Sequence, residues 1–153
     1  MLAVTEVNRC AVCSYAHTRM ALESGMNSAE IAGILNCQWD DVPADELKGL
    51  LFAQHYAESR GQPSAGSWAM VNENYGVDKA LKILAVIRII MIGNVYGIAY
   101  GSFIKRFKGH PDPRSTLFYE LTVMILGVLI LPIAAVQALL ANLFRIPWIK
   151  IQI

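Results

Sequence analysis

Much of the reactive chemistry in this chain sits in one short stretch, RCAVCSYAH, which holds Cys10, Cys13 and His17. Positions i, i+3 and i+7 share one face of an α-helix. A helix beginning at or just before Cys10 therefore lines up two sulfurs and an imidazole along a single stripe. The free N–H groups and the positive dipole end at a helix start favour thiolate over thiol at the first sulfur. Arg9 adds positive charge there if it turns inward. His17 can take a proton from Cys13, directly or through a water. Such a set suits dithiol chemistry. One thiolate attacks a peroxide or a disulfide, the other resolves the adduct, and the pair ends as a Cys10–Cys13 disulfide. Proximity to the helix terminus favours Cys10 as the attacking sulfur, and we prefer it for exchange with a protein disulfide. Proximity to His17 favours Cys13, so the choice stays open.

Other readings of the same residues compete. A CxxC pair can be structural, and His17 can be an ordinary helix histidine. Zinc needs four ligands, and Cys10, Cys13 and His17 give three. Cys37 or His55 would have to supply the fourth, at spacings that match no common zinc pattern, so no metal is assigned. Cys37, in LNCQW, reads as a buried, inert thiol.

The chain has 153 residues, enough for one domain with a real core. It is 55% hydrophobic and 16% charged, with a mean hydropathy of +0.41. That is apolar for a soluble monomer, so large surfaces must be covered by subunits or by lipid. Thirteen basic and twelve acidic residues leave a net charge of +1, which gives no field for nucleic acid. Three cysteines make a poor disulfide scaffold and fit a reducing compartment. The opening MLAVTEVNRC lacks a basic n-region and carries Glu6, so it reads as no secretory signal, and a cytoplasmic location is expected. No GxGxxG turn is present, so no nicotinamide or flavin cofactor is expected.

The elements that must position the motif read as helices throughout, an all-α fold. Asn8-Arg9 is a turn before a helix running from Cys10 to Ser24, with Gly25 suited to the left-handed position after it. Asn27 or Ser28 caps a short helix, with Glu30 placed for a capping box from Asn27. The stretch from Trp39 through Asp40, Asp41 and Val42 to Pro43 is a loop. Pro43 then begins a helix that fades by Gly61. Pro63 opens another, ending at Tyr75-Gly76. A long apolar helix follows from Asp78 to Lys105. Gly93, Gly97 and Gly101 share one of its faces at about 1 kcal/mol each against alanine, which implies a backbone packed close by. After the basic loop KRFKGHPDPR, Ser115 caps a last helix reaching Phe144. No charge occurs from Leu121 to Phe144, and Pro132 should kink or divide the helix.

With these elements in place, the stretch EVNRCAVCSYAHTRMALESGMNSAEIAGIL resembles the carboxymuconolactone decarboxylase-like superfamily. More narrowly, it is similar to the alkylhydroperoxidase (AhpD-like) branch, whose signature is a turn, CxxC, three residues and His. Cys10, Cys13 and His17 match that signature residue by residue. Asn8 matches the asparagine before it, while Arg9 stands where glycine is common. FAQHYAESRG and IRIIMIGNVYG extend the resemblance, which covers residues 1–108. It implies an AhpD-like helical bundle that forms homo-oligomers and reduces peroxides or disulfides through its thiols. It also implies an electron donor that is itself a thiol protein, lipoyl- or thioredoxin-like. Decarboxylation is not implied, because that branch typically lacks the cysteine pair. The family's relay glutamate lies further upstream, before Met1 in this numbering. Glu6, four residues before Cys10, is the upstream carboxylate present. Glu58 and His55, from another helix, are the other candidates for handling protons.

Residues 109–153 extend this core with the basic loop and an apolar helix. The uncharged run exceeds the roughly 18 residues that mark a membrane span. The basic loop would then face the cytoplasm, Arg145, Trp148 and Lys150 would lie at the far interface, and the glycine face would pack two spans. The alternative is a soluble homo-oligomer that buries its long helices between subunits. Arg88 and Asn94 fit that alternative better, and it is preferred. Membrane contact through 117–144 remains the competing reading.

Overall fold

The computed structural model describes residues 1–39 and 42–146. Among them are seven helices and no strand, so the all-α class holds. In chain order they are α1 (Leu2–Asn8), α2 (Ala11–Glu23), α3 (Ser28–Leu35), α4 (Ala44–Glu58), α5 (Ala65–Tyr75), α6 (Val77–Phe107) and α7 (Leu117–Leu143). Asp40 and Asp41 of the expected loop, and Trp148 and Lys150, lie outside the described residues. The chain divides into two compact units, Met1–Asn94 and a second that starts at Val95.

In the first unit the punctuation works largely through local chemistry. Asn27 accepts hydrogen bonds from the N–H groups of Ala29 and Glu30, and the Glu30 carboxylate accepts one from the Asn27 N–H at 2.8 Å, a complete capping box. Gly25, at φ 93°, takes the left-handed turn that separates α2 from α3. α5 opens two residues later than Pro63 suggests, at Ala65. Ser64 is its cap, and the Ser64 hydroxyl accepts from the Ser67 N–H at 3.2 Å. Leu2, Ala3, Ala21, Ile31 and Ile34 form one buried cluster from α1, α2 and α3, with Met26, Leu35, Trp39 and Leu50 against it. On α6, Ala80, Leu84, Ile87 and Asn94 are buried at helical spacing. Tyr56 of α4 accepts a hydrogen bond from Arg88 Nε at 2.9 Å, so that charge is used in packing.

Three local expectations change. α1 was not anticipated. Arg9 closes it in the left-handed region at φ 54°, and the side chain is exposed rather than turned toward the cysteines. Cys37 is exposed, not buried, because it follows the end of α3 in a left-handed turn at φ 55°. Gly93 faces open space, so no close backbone explains it.

In the second unit α7 is capped by Thr116 rather than Ser115. The Thr116 hydroxyl accepts from the Tyr119 N–H at 3.3 Å, while the Ser115 carbonyl accepts from Arg106. The helix runs on through Pro132 without being divided. The close glycine approach falls at Gly127, where a Cβ would run into the Tyr96 ring. Glu120 is fully buried and meets Arg106 in a fork, Nη2 to Oε1 at 2.8 Å and Nε to Oε2 at 3.0 Å. Asp112 pairs with Arg114, whose hydrogen bonds hold the Asp112 carboxyl well below the usual carboxylate range.

Candidate dithiol site

The turn between α1 and α2 builds the site. The Arg9 N–H bonds back to the Glu6 carbonyl at 3.1 Å, and the Cys10 N–H to the Thr5 carbonyl at 3.4 Å. This reversal leaves Cys10 as the N-cap of α2 in an extended conformation. The Cys10 sulfur then takes the capping role that serine or aspartate usually fills, accepting from the Cys13 N–H at 3.2 Å. A sulfur that receives a helix-start N–H is where negative charge is best stabilised.

Cys10 and Cys13 are joined in a disulfide, with Cα atoms 5.2 Å apart. In that form neither sulfur carries a proton or a free charge. Cys10 is 2% exposed and Cys13 9%, so Cys13 is the sulfur nearer to solvent. Thiolate stabilisation therefore points to Cys10, and access points to Cys13. The Cys13 sulfur lies 3.9 Å from the Gly93 carbonyl of α6, which can accept from it once it is reduced to a thiol.

His17 is half-buried on α2 and does not bond to either sulfur. Its Nδ1 lies 2.9 Å from the hydroxyl of Thr5, which is fully buried on α1. That hydroxyl also donates to Asn94 Oδ1 on α6 at 3.3 Å. Burial lowers the His17 pKa below its ordinary value, and the positive amino terminus adds to the shift. The imidazole is thus neutral at pH 7 and able to accept a proton.

Of the other candidates, Glu6 stands beside the motif. It accepts a hydrogen bond from the hydroxyl of Ser14, the residue after Cys13, at 2.6 Å. Glu58 is exposed and accepts from Gln54 one turn earlier on α4, at 2.8 Å. His55 Nε2 accepts from the Ser64 N–H at 3.3 Å and so fastens the loop before α5. The structure gives neither a bond to the motif. Among the described residues, no group of three or more His, Cys, Asp or Glu side chains is placed to hold a metal ion. A cavity of about 250 Å³ lies between α3 and α4, lined by Met26, Ile34, Gln38 and Leu50 among others. No motif residue lines it.

Compared with protein-family models, with curated proteins and with solved structures, the chain matches none.

Thr5, Gly93 and Asn94 were not among the expected site residues. Thr5 gave no signal because α1 itself was not anticipated. Asn94 did carry one, as a buried-type amide amid apolar neighbours, IRIIMIGNVYG.

Proposed function

We propose that the chain is a thiol-dependent oxidoreductase of AhpD-like type, working as a homo-oligomer in the cytoplasm. The observation that carries this reading is the Cys10–Cys13 disulfide at a helix start, with Cys10 receiving the Cys13 N–H and neutral His17 farther along the same helix. In the reduced chain one thiolate displaces alcohol from a hydroperoxide and becomes a sulfenic acid. The second thiol attacks that sulfur, the S–O bond breaks, and water leaves. Two thiols and one hydroperoxide thereby give a disulfide, an alcohol and water. A dithiol donor then reduces Cys10–Cys13 and leaves as its own disulfide. His17 holds the thiol proton and returns it to the departing oxygen. The test is to incubate the reduced protein with an organic hydroperoxide and with a small disulfide, then count free thiols. Cys10 and Cys13 should be consumed as a pair. If both stay reduced with both reagents, the reading fails.

A second reading concerns where the chain works. Val128, Leu129, Ile130 and Leu131 are all exposed, and successive helical residues point about 100° apart, so α7 is bare on every side over residues 128–140. Its 27 residues reach about 40 Å at 1.5 Å each, more than a bilayer's roughly 30 Å core. This favours membrane association through 117–144. Recovery of the full chain in the soluble fraction without detergent would overturn it and favour subunit contacts as the cover.

A further inference from the structure

Every hydrogen in the cluster behind the disulfide has to be placed, and the Thr5 hydroxyl has just one. It stands between His17 Nδ1 at 2.9 Å and Asn94 Oδ1 at 3.3 Å. Asn94 presents its carbonyl oxygen, so the hydroxyl must donate to Asn94. It can then only accept from His17, and that requires the proton of a neutral imidazole to sit on Nδ1. Nε2 is left with its lone pair free. Were the amide reversed, Thr5 would donate to Nδ1, the proton would sit on Nε2, and the neutral ring would have no free basic nitrogen. Asn94 is 1% exposed, and its Nδ2 has no hydrogen-bond partner. An amide with an orphaned buried end is costly, of order 1–3 kcal/mol, and unusual unless the site uses it.

We propose that Thr5 and Asn94 are the positioning residues of the dithiol site, holding His17 as the Nδ1–H tautomer so that Nε2 is the base. Asn94 fixes the direction of the Thr5 proton, and Thr5 fixes that of His17. The same Thr5 accepts the Cys10 N–H on its carbonyl, so one residue ties the first sulfur's turn to the imidazole. Thr5 also lies on α1, Asn94 on α6 and His17 on α2, so the tautomer is set only when the three helices are assembled. The role of a base here rests on the dithiol reading; the tautomer does not.

The test uses the full chain in its oxidised form and reads the His17 ring nitrogens by long-range proton–nitrogen NMR at neutral pH. The wild type should show Nδ1 protonated and Nε2 bare. Thr5→Val keeps the shape and removes the hydroxyl, and should move His17 toward the Nε2–H tautomer that imidazole side chains prefer on their own. Thr5→Ser should restore the wild-type signature. Asn94→Asp keeps an oxygen acceptor for Thr5 and should keep Nδ1–H, which guards against Thr5→Val failing to fold. In turnover, Thr5→Val should lower kcat at least about tenfold, a part of the roughly 10²–10⁴-fold that general-base catalysis supplies, with Thr5→Ser near wild type. A wild type that already carries the proton on Nε2, or a folded Thr5→Val with an unchanged tautomer, overturns the proposal. An Nδ1–H signature in a chain that consumes no hydroperoxide or disulfide supports the tautomer assignment and defeats the dithiol reading instead.

Discussion

The two units bury polar groups in opposite ways. In Met1–Asn94 the buried polar set is neutral, Thr5 with His17 and Asn94, and it leaves Asn94 Nδ2 unfilled beside a redox-capable pair of sulfurs. In the second unit the central buried group is ionic, with both Glu120 oxygens taken by Arg106 and a further Arg106 N–H given to the Ser115 carbonyl at 3.0 Å, while the buried Ser115 hydroxyl beside it has no partner. A saturated ion pair rigidifies and has nothing left to offer a ligand. An incomplete neutral network retains both proton mobility and an open donor. Surfaces differ in the same sense. Unit one exposes scattered apolar side chains such as Val12, Leu22 and Ile89, whereas residues 128–140 of α7 are exposed throughout, Leu, Ile and Val among them. Chemistry is thus expected in the first unit, and docking or cover in the second.

The largest effect that could break this contrast is on turnover. Cys13→Ser should abolish hydroperoxide-driven thiol loss at Cys10 beyond a single sulfenic acid, while far-ultraviolet circular dichroism stays helical. Continued cycling by that variant would remove the disulfide from the mechanism. Next comes Glu120→Ala, which strands the Arg106 fork next to the hairpin turn. It should lower the melting temperature markedly yet leave the reactivity of the Cys10–Cys13 pair unchanged. A loss of thiol chemistry in a still-folded Glu120→Ala protein would mean that the two polar sets are not separable.

Gly127 sharpens the comparison within the second unit. A methyl there runs into the Tyr96 ring, and overpacking of this kind costs about 1–3 kcal/mol. Against it stands the gain of about 1 kcal/mol from replacing a mid-helix glycine by alanine. Gly127→Ala should therefore destabilise the native background and stabilise a Tyr96→Ala background, measured by thermal melts of the single and double variants. The same sign in both backgrounds would show that the contact does not hold α6 to α7.

Legibility in the sequence followed the reach of the interactions involved. The capping box of Asn27 and Glu30, the left-handed Gly25 and the capped helix start at Cys10 depend on residues within four positions of one another, and each was readable. Cys37 and the start of α5 were misplaced by local turns and caps, and other details by a tertiary partner. Ser115 reads as the cap of α7, yet Thr116 fills that role and the Ser115 carbonyl goes to Arg106; Gly93 reads as facing a close backbone, yet it faces open space, while Gly127 meets the Tyr96 ring. The site divides along the same line. Cys10, Cys13 and His17 were visible from their spacing on one helix. Thr5 and Asn94 are separated by 89 positions, and their meeting is a property of the assembled helices.

A smaller stability change supplies a matched control. Asn27→Ala removes an exposed cap far in sequence from the sulfurs, at a cost of about 1 kcal/mol. Chemical denaturation should report that loss, with the His17 tautomer and thiol turnover unchanged. If Asn27→Ala disturbed turnover as much as Thr5→Val, general loosening of the first unit would account for both.

The smallest effect concerns pH. His17 has a pKa lowered by burial, so in the folded chain it holds its proton less firmly than in the unfolded chain, where imidazole titrates near 6.5. Between the folded value and about 6.5 the unfolded state binds more protons, and stability must rise with pH across that window. The contribution is fully present above about 6.5 and fades as pH falls through the lowered folded value. Because the ring is only half-buried, solvent screens it and the slope should be shallow. His17→Gln cannot titrate and should flatten that part of the melting-temperature profile. A His17→Gln profile as steep as wild type would place the acid sensitivity elsewhere. A wild type that grows more stable on acidification through this range would reverse the sign, and with it the claim that the folded site keeps His17 neutral for proton uptake.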